Sequence, residues 1–203
     1  MTFSAGQLTN ALGILVACHI ERCQICRSKA LMYDQLGGEI LESTEPTPVS
    51  EDMRQQLLQR IDSTDDNIAP HIQENLDPRV PRPLWRFVEN DLNALQWKGF
   101  TSSIQEVTLP FSDDHFTAKF YKIAAGKELP EHTHKGNEFT LVLDGSFSDQ
   151  LGSYHAGDFI LADTETIHTP HAHKDKDCIC FAVMDAPLKM TGFFGRMLNP
   201  FLR

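Results

Sequence analysis

The sequence predicts an α + β multidomain chain: a small N-terminal helical bundle followed by a C-terminal β jelly roll. Three observations predict it. In the first third, apolar residues recur at helical spacing, with Leu12, Leu15 and Val16 ahead of His19 and Met53, Leu57, Leu58 and Ile61 later. From Leu84 onward the pattern changes to short β-prone runs broken by Gly, Pro and Asp, which suits a double-sheet jelly roll. Between the two lies a polar stretch that ends Asp77-Pro-Arg-Val-Pro-Arg-Pro83 and reads as a linker. The expected division is 1–70 helical, 71–83 linker and 84–203 jelly roll.

The elements follow in order. Thr9 or Asn10 is placed to cap a helix running to Arg27 or beyond. Gly37-Gly38 is expected to interrupt or end the next helical stretch. Residues 45–50 form a loop, and Ser50 opens an amphipathic helix carrying Met53, Leu57, Leu58 and Ile61. Strands are expected at 104–109, 116–124, 139–143, 159–162 and 178–184.

Composition narrows the function. The formal net charge is −10, with residues 1–70 and residues 84–203 each at −5. A surface of that sign repels phosphate backbones and argues against direct DNA binding; it favours a basic protein partner. No run of about 18 apolar residues suggests a membrane span, and no secretory signal is evident, so a cytoplasmic location is expected. Five cysteines, an odd number, argue against a disulfide framework. Cys178 and Cys180 share one face of a strand but sit about 6.5 Å apart at Cα, a poor disulfide distance. Buried thiols are the plain reading for them and a redox role the sharper one.

Two patterns carry chemistry. In the first, His132 and His134 are two residues apart, so on a strand both imidazoles point to one face and reach one metal ion. Glu138 follows, leading into Phe139-Thr-Leu-Val-Leu143, and Gly126 and Gly145 bracket the segment. A further ligand is expected from a later strand, where His155, His168, His171 and His173 are the imidazoles on offer. Of these, His171 and His173 lie among Lys174, Asp175, Lys176 and Asp177 and read as solvated loop residues; His115, beside Asp113 and Asp114, reads the same way. Three histidines and a carboxylate suit zinc, iron, manganese or nickel. A closed tetrahedral zinc suits structure or sensing, whereas an open position suits catalysis.

The second pattern is His19-Ile-Glu-Arg-Cys23-Gln-Ile-Cys26, or H-x3-C-x2-C. On one helix, the i, i+4 and i+3 spacings put all three side chains on one face, which suits zinc. Cys18 falls on a different face and reads as core.

The spacing G-x5-H-x-H-x3-E-x6-G over residues 126–145 matches the first motif of the cupin superfamily, and Gly157 to His168 resembles the second, with His168 as its histidine. H-x3-C-x2-C ahead of a helix resembles the zinc-binding anti-sigma domains. The order of the two, with Glu138-Phe-Thr-Leu-Val-Leu-Asp-Gly, Ile167-His-Thr-Pro and Asp177-Cys-Ile-Cys, closely resembles the ChrR family over essentially the whole chain. That resemblance implies a regulator whose N-terminal domain holds an extracytoplasmic-function sigma factor inactive. It also implies a zinc-binding cupin that takes part in the response to singlet oxygen or related oxidants. One departure stands out: family members carry a further zinc-ligand histidine on a first helix, and no histidine precedes His19 here. Either the start has been lost, or the N-terminal site is incomplete at His19, Cys23 and Cys26. The alternative function is a cupin dioxygenase, with Fe(II) on His132, His134, Glu138 and His168; H-x3-C-x2-C has no use in such an enzyme.

Overall fold

Residues 1–63, 77–88, 91–111 and 115–191 are described by the computed structural model. Helix α1 (Asn10–Arg22) is followed by α2 (Gln24–Glu42) and α3 (Glu51–Asp62). The expected single helix through Arg27 breaks at Cys23, whose backbone is extended; it ends α1 and opens α2. Gly37 and Gly38 do not break α2, which runs on to Glu42. Each glycine costs about 1 kcal/mol against alanine, too little to stop a helix with good formers on both sides. Ser50 caps α3 as its position predicts, its Oγ accepting from the Met53 amide at 3.2 Å.

Eleven strands follow among the described residues. They are β1 (Lys98–Thr101), β2 (Ile104–Thr108), β3 (Thr117–Ile123), β4 (His132–His134), β5 (Glu138–Asp144), β6 (Ser146–Ser148), β7 (Ser153–His155), β8 (Phe159–Ala162), β9 (His171–Ala172), β10 (Cys178–Met184) and β11 (Leu188–Met190). The largest sheet has the order β1-β2-β3-β10-β5-β8, every neighbouring pair antiparallel. Two smaller sheets, β11-β4 and β7-β6-β9, complete the β domain.

Period-2 alternation explains why the central strand β10 is buried at all seven positions. Ile179, Phe181 and Val183 join Phe120, Leu141 and Leu143 in one core, on one face of the large sheet. Cys178 and Cys180 join Ile123, Val142 and Phe147 in a second core on the other face. The first core also contains Ala11, Leu15 and Cys18 of α1, and Val80, Leu84, Val88 and Leu92 from the segment before β1. Thus α1 packs onto the β domain rather than into a separate helical core. By contrast, α2 buries Ala30 alone and α3 buries nothing.

Residues 77–83 read as linker by composition, yet they are pinned in place. Asp77 is buried and takes the amides of Arg79 and Leu92 as well as the Arg79 guanidinium. That guanidinium reaches on to Asp91 and to Asp144 at the end of β5. Arg22 at the end of α1 donates to the carbonyls of Pro78 and Arg79.

Candidate metal centres

His132 and His134 occupy alternate positions of β4, and both are buried. A bridge between His132 and His168, with reciprocal backbone hydrogen bonds of 3.1 Å, brings the third imidazole alongside. The three Nε2 atoms converge: His132 to His168 is 3.0 Å and His134 to His168 is 3.3 Å. The outer nitrogens explain why. His132 Nδ1 donates to the Pro130 carbonyl at 2.9 Å, and His168 Nδ1 to the Asp149 carboxylate at 2.8 Å. With their protons held outward, both rings point bare Nε2 lone pairs inward. Burial pushes the His132 and His134 pKa values down to about 4, so the rings are neutral at pH 7 and free to ligate.

Glu138 stands one step away. Its Oε1 accepts from Thr140 at 2.9 Å, and its Oε2 lies 3.8 Å from His134 Nδ1. Neither of those last two atoms has a hydrogen-bond partner among the described residues, though both are buried. Burial raises the carboxyl to about pH 7, against the opposing pull of Thr140 and Lys119. The inward lone pairs of His132 and His168, with an orphaned carboxyl oxygen beside them, form an acceptor-rich cluster, and a cation satisfies such a cluster. The residues fit a metal.

The cluster opens onto a cavity of about 50 Å³ lined by Tyr121, Thr140, Phe147, Ile160, Cys180 and Leu188 among others. That is room for a water or two, well short of the roughly 300–1,000 Å³ usual for small-molecule pockets. Cys180 faces the cavity, and its Sγ is 3.7 Å from that of Cys178. Both thiols are free and buried, and the Cys180 thiol is raised well above its ordinary range by its contact with Cys178 and by burial.

The rival histidines lie elsewhere. His171 belongs to strand β9 rather than to a loop. His173 is held between the Ser146 and Ser148 hydroxyls, at 2.8 and 2.6 Å. Asp149 escaped sequence reasoning. It sits in the turn after β6, 19 residues before His168, where no local pattern marks it.

The second cluster also assembles. His19, Cys23 and Cys26 bring one donor atom each within 4.8 Å of one another. His19 Nε2 is 3.3 Å from Cys26 Sγ. The break at Cys23 places its sulfur at the amino end of α2, where the Cys26 amide draws the thiol below its ordinary range. Two thiols and an imidazole with a bare Nε2 fit a thiophilic metal. The His19 ring is fixed from outside the helices: Nδ1 donates to the Gly157 carbonyl at 2.9 Å, and the ring lies 5.5 Å from that of Phe159.

Residues 88–186 match the ChrR cupin-like domain model. Over 201 residues the chain is 35% identical to the anti-sigma-E factor ChrR of Cereibacter sphaeroides, covering 99% of this chain and 93% of that protein. The chain belongs to the ChrR family. The crystal structure of Rhodobacter sphaeroides SigE in complex with the anti-sigma ChrR is similar to it with a TM-score of 0.77 and 35% identity, covering 91% of this chain and 94% of that one. No helix among the described residues of this ChrR-family protein is long and apolar enough to cross a membrane.

Proposed function

We propose that this protein is a zinc-dependent anti-sigma factor. It binds an extracytoplasmic-function sigma factor, keeps it from RNA polymerase, and releases it in response to singlet oxygen or related oxidants. One observation carries the binding role. Met53, Leu57, Leu58 and Ile61 of α3 are exposed, as are Leu31, Met32, Leu36, Ile40 and Leu41 of α2. Two helices with such apolar stripes on the surface are unusual in a chain that works alone. A protein partner that buries them accounts for both, and the similar ChrR was solved with SigE. The acidic charge suits a basic, DNA-binding partner.

Zinc is the ion proposed for both clusters. Cys23 and Cys26 select a thiophilic ion in the first. His132, His134 and His168 offer the second three imidazoles; Glu138, whose Oε2 lies 3.8 Å from His134 Nδ1, is the proposed fourth ligand of a closed shell suited to sensing. The oxidant response is placed in the β domain, where Cys180 shares the cavity with His132 and His168. Oxidation of the Cys178–Cys180 pair or of a ligating imidazole would alter packing beneath the strands on which α1 rests. The test is co-purification and run-off transcription with a sigma factor of this class, with and without a singlet-oxygen source. Binding and inhibition that oxidant relieves are expected. No complex, or a complex indifferent to oxidant in the presence of both metals, overturns the corresponding half of the reading.

A further inference from the structure

Gly157 belongs to the turn between β7 and β8, far from His19 in sequence, yet its carbonyl is the hydrogen-bond partner of His19 Nδ1 among the described residues. A carbonyl oxygen can only accept, so the ring carries its proton on Nδ1 and presents Nε2 to the cluster. The turn is not loose. The Gly157 amide donates to the Val142 carbonyl at 2.9 Å, and the Val142 amide donates to the Asp158 carbonyl at 3.1 Å. The φ of +100° at Gly157 requires glycine. Strand β8 then turns Phe159 toward His19 and Ile160 and Ala162 toward the three-histidine cavity.

We propose that the Gly157 carbonyl is the outer-shell partner of the N-terminal metal centre, so that metal binding at His19, Cys23 and Cys26 is coupled to docking of α1 on the β domain. The inference rests on the reading that this cluster holds a metal. It adds that the β domain completes the site. Linkage is reciprocal: whatever shifts the Gly157 turn weakens metal binding, and loss of the metal loosens α1 by the same factor. The turn is anchored to β5 and runs into β8, and both strands line the cavity, so a disturbance there has a short route to the sigma-binding helices.

Cobalt(II) titration of the full chain tests this. Thiolate-to-cobalt charge-transfer absorption reports the N-terminal cluster separately from the histidine cluster, and its loss in Cys23→Ser/Cys26→Ser assigns it. Gly157→Ala introduces a Cβ whose nearest neighbour is Arg22 Cβ at 3.9 Å, so it strains the backbone without a clash. It should weaken cobalt binding at the thiolate band about tenfold, in line with other outer-shell losses, and leave cobalt binding at the histidine cluster unchanged. Phe159→Leu, which keeps the backbone, should shift the same band in the same direction by less. In the metal-loaded wild type, the His19 Nδ1 proton should be visible by NMR and slow to exchange; in Gly157→Ala it should be lost. A thiolate band unmoved in both variants, or a His19 ring ligating through Nδ1, overturns the coupling even if the chain binds a sigma factor. No thiolate band in the wild type overturns the coupling together with the N-terminal metal reading.

Discussion

Asp149 Oδ2 accepts a 2.8 Å hydrogen bond from His168 Nδ1, while its Oδ1 takes the amides of Leu151 and Gly152 at 2.8 and 3.1 Å. The carboxylate is thereby fixed by its own turn before it fixes the imidazole. Its side chain is 1% exposed, so no solvent replaces it. An outer-shell group of this kind sets both the tautomer and the aim of a ligand.

Asp149→Ala is therefore predicted to lower zinc affinity of the histidine cluster by about 10- to 100-fold with every direct ligand in place. Chelator competition on the full chain measures it. An affinity equal to the wild type would show that His168 needs no such support.

The proposed direct ligands should behave differently. His132→Ala/His134→Ala should empty the histidine cluster while the Cys23–Cys26 cluster keeps its metal, so elemental analysis falls from two ions per chain to one. Retention of both ions would displace the site from these residues.

The Asp77–Arg79 pair predicts a stability effect with a defined sign. Burial of Asp77 raises its pKa, but the Arg79 guanidinium and the Arg79 and Leu92 amides outweigh it and hold the carboxyl well below the ordinary aspartate range. The native state thus binds a proton less readily than the unfolded chain. The contribution is fully present above pH ~4, the unfolded value, and is lost as pH falls below it. Asp77→Ala should cost about 2 kcal/mol at neutral pH, short of the ~3–5 typical of fully buried pairs, because Arg79 is 28% exposed and keeps Asp91 and Asp144. Denaturant melts at pH 7 and pH 3 check it: the difference between variant and wild type should shrink at the lower pH.

Much of the site was legible because its signals are local. His132 and His134 alternate on a strand, and the alternation alone puts both imidazoles on one side. His19, Cys23 and Cys26 meet even though the helix breaks between them, since an extended residue at Cys23 still brings the start of α2 back to His19. Features made by contacts distant in sequence were not legible. Asp149 reaches His168 through the turn after β6, and the Gly157 carbonyl reaches His19 across 138 positions. The place of Asp77–Pro83 depends on a guanidinium that ties the segment to Asp91 and Asp144, which composition cannot register. The docking of α1 was hidden similarly: Ala11, Leu15 and Cys18 look like any helix stripe, and only the sheet's outer apolar face decides what covers them.

Leu57→Asp/Ile61→Asp on α3 should separate partner binding from folding. Both positions are exposed, so the pair should cost the isolated chain under about 0.5 kcal/mol per site. The same change should weaken sigma binding at least tenfold, roughly 1.4 kcal/mol or more. A fall in melting temperature matching the loss of binding would mean that α3 packs within the chain instead.

The central claim is the anti-sigma function, and the most direct measurement is titration of the zinc-loaded full chain against a purified extracytoplasmic-function sigma factor from the same organism, read by calorimetry and by run-off transcription. A one-to-one complex is predicted, with transcription falling as the complex forms and the Leu57→Asp/Ile61→Asp variant failing in both readouts. If the zinc-loaded chain binds no sigma factor of this class, or binds one and leaves its transcription untouched, the account is contradicted.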